Sequence, residues 1–307
     1  MSSSTSLSLS PSIEANQTLA TLMRSMHRIA PLSLADSSWD NVGLLLEAPF
    51  PRSASSDKSG RASDIGKGVH LCIDLTTSVL SEVLQHPHIS TILCYHPIIF
   101  RGLKTLTLSD PQQATLLRCA AEGISVYCPH TSLDAARGGI NDWLAEGCKS
   151  SPSEAFSAAP APCQKSKATS IPEGHEGAGM GRHFSLAEPV ELITLVQRLK
   201  KHLGLEHVQV ATPAGKESPM VQSIAVCAGS GGSVLAGDES DCWLTGEMSH
   251  HELLAATAAG RSVILTNHSN TERGYLSAVL KPRLEELAGG DLQVSVSEVD
   301  RDPLRVV

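Results

Sequence analysis

Hydrophobic positions along the first half of the chain alternate between two spacings. Apolar residues at helical spacing predict a helix over about residues 16–29. Three short apolar runs predict buried strands, and they read VHLCIDLT, ISTILCYH and ISVYCPHT. Between them lie two helical patterns, SVLSEVLQHP and DPQQATLLRCAAEG, the second with Asp110 as its cap and Pro111 at its first position. Alternating strands and helices indicate an α/β domain with a mainly parallel sheet.

The second half repeats this alternation with different segments. EPVELITLVQRLKKHLGL predicts an amphipathic helix, and VQSIAVCAGSGGSVL predicts a strand that runs into a glycine-rich turn. CWLTG and SVILTN predict strands, and HHELLAATAAG and TERGYLSAVLKPRLEEL predict the helices that follow them. The chain therefore resolves into two α/β halves.

Segments without a regular spacing of apolar residues mark the predicted boundaries between the parts of the chain. They are rich in Ser, Gly, Pro and Ala, which is typical of tails, surface loops and linkers. The predicted organisation is a disordered tail at 1–15, an N-terminal α/β lobe at 16–148 with a surface insertion at 51–68, a low-complexity linker or insertion at 149–180, and a C-terminal α/β lobe at 181–307.

Composition narrows the class of protein. The 307 residues are 41% hydrophobic and 18% charged, which is typical of a globular chain. A formal net charge of -8 argues against direct nucleic-acid binding, which needs a basic surface. No apolar run reaches the length of a membrane span. Eight cysteines without a C-x-x-C pair indicate buried thiols in a reducing compartment, so we expect a cytoplasmic protein, with mitochondrial import as the alternative.

Polar side chains follow three of the predicted strands. His96 follows ISTILCY, His130 and Asp134 follow ISVYCP, and His268 and Glu272 follow SVILTN. The four-residue spacing of His268 and Glu272 suits one face of a helix, where both could bind a metal. The alternative is that this loop only caps the next helix. Polar residues also occur at strand ends simply because the chain reaches solvent there.

Ligands of open α/β sheets bind at the carboxyl ends of the strands. If these ends converge, His96, Asp134, His268 and Glu272 form a mixed imidazole and carboxylate site. Such a site suits Zn, Mn, Fe or Co better than Ca or Mg. With two carboxylates able to bridge, it could hold two ions about 3.5–4 Å apart, an arrangement that activates water for hydrolysis.

Further polar candidates lie outside this set. Glu247, His250 and His251 precede or open a predicted helix, and we expect at least one of them to line a cleft as a proton-transfer or substrate-positioning group. The alternative for the two histidines is an exposed helix start. The GSGGS segment is expected to form a tight turn rather than an anion cradle, because it lacks the residues of a P-loop.

Six motifs, in order, resemble one family. They are WDNVGLL, YHPIIF, TSLDAARGGINDWLA, GSGGS, LTGEMSHHELLAA and NHSNTERGYL. Together they resemble the Nif-three-like family (Ngg-one-interacting factor three-like), whose bacterial members are often labelled GTP cyclohydrolase 1 type 2 homologues. The resemblance runs from about residue 16 to the C-terminal VDRDPLRVV, apart from the two low-complexity stretches.

The resemblance implies a three-layer α/β fold of two related lobes around a dinuclear metal cleft. It also implies homo-oligomers, commonly a toroidal hexamer built from dimers. Carried over to the matching motifs, the implied metal ligands are His96 of YHP, Asp134 of SLD, and His268 and Glu272 of HSNTE. This is the set that the strand ends suggest.

One position departs from the family pattern. Many bacterial members read His-His-Pro where this chain reads Tyr95-His96-Pro97, and the first of those histidines is a ligand there. A phenol is a poor ligand for these metals at neutral pH because its pKa is about 10. We therefore predict that one of two metal positions is weaker here, or is completed by water.

Two functions of different classes follow. The first is a metal-dependent hydrolase that acts on a nucleotide or another small phosphorylated or heterocyclic compound. The second is a non-enzymatic metal-binding interaction protein, such as a partner of a transcription regulator. In that case residues 149–180 would dock a protein partner by folding on binding.

Overall fold

The computed structural model describes residues 7–52 and 66–307. Most of the predicted insertion at 51–68 lies outside the described residues. By their internal contacts the described residues form two units. The first comprises those in 1–132 and 276–300, and the second comprises 133–275 and 301–307.

The first unit contains a five-stranded sheet with helices. Its strands are β1 (Gly43–Leu46), β2 (Gly68–Cys72), β3 (Ile89–Cys94), β4 (Ser125–Cys128) and β13 (Gln293–Val296). Its helices are α1 (Pro11–Ala15), α2 (Gln17–Ile29), α3 (Thr77–Leu84), α4 (Pro111–Ala121) and α11 (Lys281–Ala288). Helix α5 (Thr131–Ala135) begins in the first unit and ends in the second. The strand order is β1-β4-β3-β2-β13, and every pair except β1 with β4 is parallel. The predicted mainly parallel sheet is confirmed for this unit.

Local sequence explains the helix starts in this unit. The Asn16 side chain accepts a hydrogen bond from Leu19 N (3.1 Å) and caps α2. Asp110 caps α4 in the same way through Gln113 N (2.9 Å), and Pro111 occupies the first turn. The two apolar helix faces bury Leu, Ile, Met and Cys side chains. Both helices were predicted from these signals.

The second unit contains a six-stranded mixed sheet. Its strands are β5 (Phe156–Ala161), β8 (Arg182–Glu191), β9 (Gln209–Ala211), β10 (Met220–Ser230), β11 (Cys242–Glu247) and β12 (Ser262–Leu265), beside a small pair of β6 (Gln164–Lys165) and β7 (Gly179–Met180). Its helices are α6 (Ile140–Glu146), α7 (Leu192–Leu203), α8 (Gly232–Leu235), α9 (His250–Ala258) and α10 (Arg273–Tyr275). The order is β5-β8-β10-β11-β12-β9, and the adjacent pairs β10–β11 and β11–β12 are parallel whereas the other adjacent pairs are antiparallel.

Several predicted boundaries differ from the structure. Residues 149–180, predicted as a low-complexity linker or insertion, contain β5, which pairs antiparallel with β8 at the sheet edge. Residues 188–191, predicted as the start of a helix, are the end of β8, and the helix begins at Leu192. In both places strand pairing with distant residues overrides a local pattern that has no β signal.

The ends of the chain also differ from the prediction. Residues 11–15, predicted within a disordered tail, form α1, which Ser10 caps through Ile13 N. The two units do not divide at the predicted residue 181, because residues 133–275 belong to the second unit and residues 276–300, which include β13, belong to the first. None of the helices in the described ranges has the length and apolar character that crossing a membrane requires. The cysteines are free thiols, seven of them buried and Cys163 partly buried.

Candidate metal centre

The parallel strands of the first unit end in three polar side chains. Asp74 follows β2, His96 follows β3 and His130 follows β4. The His96 Nδ1 atom lies 2.9 Å from Asp74 Oδ1. An ionised carboxylate only accepts, so Nδ1 donates this bond and Nε2 becomes the nitrogen that can bind a metal. His96 counts among the side chains that could take part in holding a metal ion. It also borders a cavity of about 370 Å³.

His130 is held as firmly as His96. Its Nδ1 lies 2.7 Å from Asp40 Oδ1, and its backbone has a positive φ of 31°. Such a backbone is uncommon for a residue with a side chain and needs support from its surroundings. Burial alone would raise the pKa of Asp40, but hydrogen bonds to His130 and Thr131 and the charge of His130 outweigh burial and lower this pKa. The imidazole of His130 lies against the rings of Tyr95 and His96.

Tyr95 is a buried residue beside His96. Its ring centroid lies 5.0 Å from that of His96, and its side chain is almost fully excluded from solvent. The tyrosine that replaces the histidine of the bacterial pattern therefore packs in the aromatic cluster. The predicted weakening of one metal position stays a prediction.

The parallel strands of the second unit place the other candidates. Gly229 lies near the end of β10, Glu247 ends β11, and His268 follows β12. The Nδ1 atom of His268 lies 2.8 Å from Glu247 Oε1, and its Nε2 atom lies 3.5 Å from Glu272 Oε1. Only 2% of the Glu272 side chain is exposed. His268 and Glu272 belong to a group of side chains that could hold a metal ion.

Backbone geometry aims His268 at Glu272. Asn267, just before it, has a left-handed φ of 66°, which Asn tolerates better than most residues. The turn after His268 is fixed because Thr271 Oγ1 donates to His268 O (2.6 Å) and the Asp302 carboxylate accepts from Ser269 N (3.0 Å). No side chain caps this turn. The four-residue spacing thus joins an imidazole to a carboxylate.

Asp134 lies in α5 and is buried. Asn141 fixes its backbone, because Asn141 Nδ2 donates to Asp134 O (3.1 Å) and Asn141 Oδ1 accepts from Ala228 N (2.9 Å). The local sequence around Asn141 gives no signal of this role. The structure shows that it ties Asp134 to the segment that carries Gly229.

Cys227 lies close to two of the predicted ligands. Burial raises the pKa of its thiol well above the ordinary value, and the charges of Asp134, Cys163 and Glu272 raise this pKa further. The thiol therefore stays protonated at neutral pH. Asp134 and Glu272, two of the predicted ligands, thus both contribute to the raised pKa of one buried thiol.

The remaining candidates, Glu247, His250 and His251, lie in different surroundings. Glu247 contacts His268 and therefore orients a predicted ligand. His250 and His251 are exposed at the start of α9, and their ring centroids lie 5.6 Å apart. Neither imidazole contacts His268 or Glu272 in the part of the chain that the structure describes. Their catalytic role stays a prediction.

The residues of the second unit fit a metal ion. A Cβ atom built on Gly229 would lie 2.8 Å from His268 Nε2 and 2.9 Å from Glu272 Oε1, so only a residue without a side chain suits this position. The donor pair is an imidazole nitrogen and a nearly buried carboxylate, and such a carboxylate needs compensating positive charge. A divalent cation of the late first row supplies that charge and accepts both donor types.

The fold and these histidine–carboxylate groups define a mixed α/β protein with a candidate metal centre. A family model described as Duf34/NIF3 (NGG1p interacting factor 3) matches residues 17–303, and the chain belongs to this family. It is 48% identical over 274 residues to the protein NIF3 homolog of Schizosaccharomyces pombe, covering 88% of this chain and 91% of that one. It is 38% identical over 291 residues to NGG1-interacting factor 3 of Saccharomyces cerevisiae, covering 93% and 96%.

Solved structures agree with the fold. A Bacillus cereus protein related to NIF3 superposes with a TM-score of 0.71 at 18% identity, covering 92% of this chain and 97% of that one. Reduced HcgD from Methanocaldococcus jannaschii superposes with a TM-score of 0.64 at 21% identity, covering 90% and 96%. The resemblance found in the sequence is confirmed, and so is the NIF3-type α/β fold.

Replacing Glu247 with Ala is expected to weaken metal binding about 10-fold to 100-fold, because His268 loses the carboxylate that fixes its ring and tautomer. Isothermal titration calorimetry with Zn²⁺ or Mn²⁺ measures the change. The matched control is Glu252→Ala, since Glu252 is a nearby exposed carboxylate that serves the Ser249 capping box instead. Equal affinities for wild type and Glu247→Ala would contradict the orienting role.

Proposed function

We propose that His96, Asp134, His268 and Glu272 bind one or two divalent ions per subunit, of Zn, Mn, Fe or Co, and that the protein is a metal-dependent hydrolase. Its substrate would be a nucleotide or another small phosphorylated or heterocyclic compound. One observation carries the proposal. Both histidines have Nδ1 bound to a carboxylate from the neighbouring parallel strand, at 2.9 Å for His96 and 2.8 Å for His268.

This pairing is typical of histidines that bind metals, because it fixes the tautomer and makes Nε2 more basic. When bound, a divalent ion supplies Lewis-acid activation of water and of a phosphoryl or ring centre. The chain's own side chains would position the metal ligands and bind the substrate. Asp74 and Glu247 hold the imidazoles, Asn141 holds the Asp134 backbone, and His130, fixed by Asp40, is suited to hydrogen bonding with a substrate through Nε2.

A second function has a separate basis. The Saccharomyces cerevisiae relative is named as an interacting factor of NGG1, which favours a protein partner as the alternative. Under that alternative we propose that the partner docks on residues 149–180, and the deletion that tests this removes residues 166–178, between β6 and β7. Pull-downs with this segment deleted would then lose the partner, while the metal content would not change. We also propose a cytoplasmic homo-oligomer, a hexamer built from dimers.

The test of the hydrolase is metal content together with turnover. Elemental analysis of purified wild type is expected to give at least one tightly held equivalent, with a second ion held more weakly because of Tyr95. His268→Ala and Glu272→Ala should both lose the tight equivalent. His207→Ala, which changes an exposed histidine with no predicted role in the site, should keep it.

The metal that copurifies would then be used with a panel of nucleotides and phosphoesters. Turnover that His268→Ala abolishes and His207→Ala retains would support the hydrolase. A metal-loaded wild type that leaves the whole panel unchanged would refute it and favour the interaction protein. Two tightly held ions per subunit would contradict the prediction made from Tyr95.

A further inference from the structure

Two exposed aromatic side chains meet in the first unit beside His130. Aromatic residues make up only 3% of the chain, and most are buried. Trp39 is 51% exposed and Phe100 is 47% exposed, yet their ring centroids lie 6.0 Å apart at an interplanar angle of 55°. Exposed aromatic surface costs free energy in water, so a paired and exposed set indicates a binding surface.

Hydrogen bonds hold this pair in place. Asp40, next to Trp39, accepts from Thr131 Oγ1 (2.5 Å) and from His130 Nδ1 (2.7 Å). Asn41 Nδ2 donates to Ile99 O (2.5 Å), directly before Phe100. The segment that carries Trp39 is thus tied both to the turn after β4 and to the segment that carries Phe100. A surface fixed in this way loses little conformational entropy when a ligand binds.

The pair adjoins polar groups suited to a small ligand. The Trp39 ring meets His130 edge to face, with centroids 5.8 Å apart and an angle of 88°. The His130 ring lies 5.5 Å from that of His96, a predicted metal ligand. A planar ring stacked on Trp39 would therefore lie close to the His130 imidazole. Flat nitrogen heterocycles match an aromatic face next to a hydrogen-bonding imidazole.

We propose that Trp39 and Phe100 form an aromatic lip that stacks on the heteroaromatic ring of the substrate, so that the site prefers nucleobase-like compounds over phosphoesters without a ring. That the bound ring belongs to a substrate rests on the proposed hydrolase function. Binding of the ring itself requires neither metal nor turnover. Stacking on aromatic side chains is tolerant of base identity, so the lip recognises the class of ring rather than one base.

The test is ring binding by protein treated with EDTA. Trp39 is the exposed tryptophan, while Trp143 and Trp243 are buried, so quenching of tryptophan fluorescence reports on the lip. GMP and AMP are expected to quench saturably, whereas ribose 5-phosphate should not. Trp39→Ala should weaken GMP binding about 5-fold to 100-fold by calorimetry. Trp39→Phe should lose most of the quenching but keep the binding.

Two further variants complete the design. Phe100→Leu keeps apolar bulk without an aromatic face and should weaken binding, whereas Phe50→Ala should not. Phe50 is exposed to the same extent as Trp39 but lies on a different cavity, away from His130. Equal affinity of Trp39→Ala and wild type, equal binding of ribose 5-phosphate and GMP, or no nucleotide binding at all would overturn the lip. Failure to hydrolyse any substrate, with ring binding intact, would refute the hydrolase alone.

Discussion

Replacing Gly229 with Ala is expected to weaken metal binding by about 100-fold or more while the protein stays folded. The added methyl group would lie 2.8 Å from His268 Nε2 and 2.9 Å from Glu272 Oε1, so both predicted ligands must move. Loss of a group that merely orients a ligand costs roughly 10-fold to 100-fold in affinity, and displacement of two ligands should cost at least as much.

The backbone cannot yield in their place. Gly229 N donates to Thr271 Oγ1 (2.8 Å), and Gly229 O accepts from Thr245 Oγ1 (3.0 Å). Gly229 also has a left-handed φ of 63°, which costs a residue with a side chain about 1–2 kcal/mol. Strain and steric contact therefore act together, and a control must separate them.

Gly237→Ala provides that control. Gly237 has a φ of 86°, but a Cβ atom there would meet nothing within 4 Å. It carries the backbone strain without the contact, so it should lower stability by about 1–2 kcal/mol and leave metal affinity unchanged. Calorimetric titration with Zn²⁺ or Mn²⁺ compares the two variants. If both bind metal like wild type, the ion does not use His268 and Glu272.

The sequence predicted those features of this site that are local. His268 and Glu272 are four residues apart and follow an apolar run. Both their spacing and their position after a strand could be recognised in the sequence alone. The glycine-rich GSGGS turn was also predicted, and Gly229 adopts the left-handed backbone that such turns require. Helix α4 was identified from its cap and its proline for the same reason.

Features that depend on contacts between residues far apart in the chain were not predicted from the sequence. Asn141 hydrogen-bonds Ala228, which lies 87 positions away in the sequence. Glu247 hydrogen-bonds His268, which lies 21 positions away. Strand β13 was not predicted, and it pairs with β2 far away along the chain, where His70 bonds Ser295 across 225 positions. Periodicity reports which face of an element is buried, and it carries no information about which strand pairs with it.

Asp142→Ala is expected to destabilise the second unit by about 3–5 kcal/mol, because it leaves a buried cation without its counter-charge. Arg182 is fully buried, and its Nε donates to Asp142 Oδ1 at 2.6 Å. Its other nitrogens donate to main-chain oxygens, including those of Gly179 and Gly181 at 2.7 Å each. These carbonyl bonds hold the guanidinium in place, so it cannot swing out to water when the carboxylate is removed.

The measurement is urea denaturation, followed by tryptophan fluorescence because Trp143 adjoins Asp142 in α6. Glu146→Ala is the matched control, since Glu146 lies in the same helix and pairs with Lys149 at 2.7 Å with half of its side chain exposed. Because water screens the half-exposed carboxylate, this pair is expected to contribute about 1 kcal/mol or less. Asp142→Asn should fall between the two, because it keeps an acceptor for Arg182 and loses only the charge. Equal stability losses for Asp142→Ala and Glu146→Ala would mean that the carbonyl bonds alone satisfy Arg182, and that its charge is compensated without Asp142.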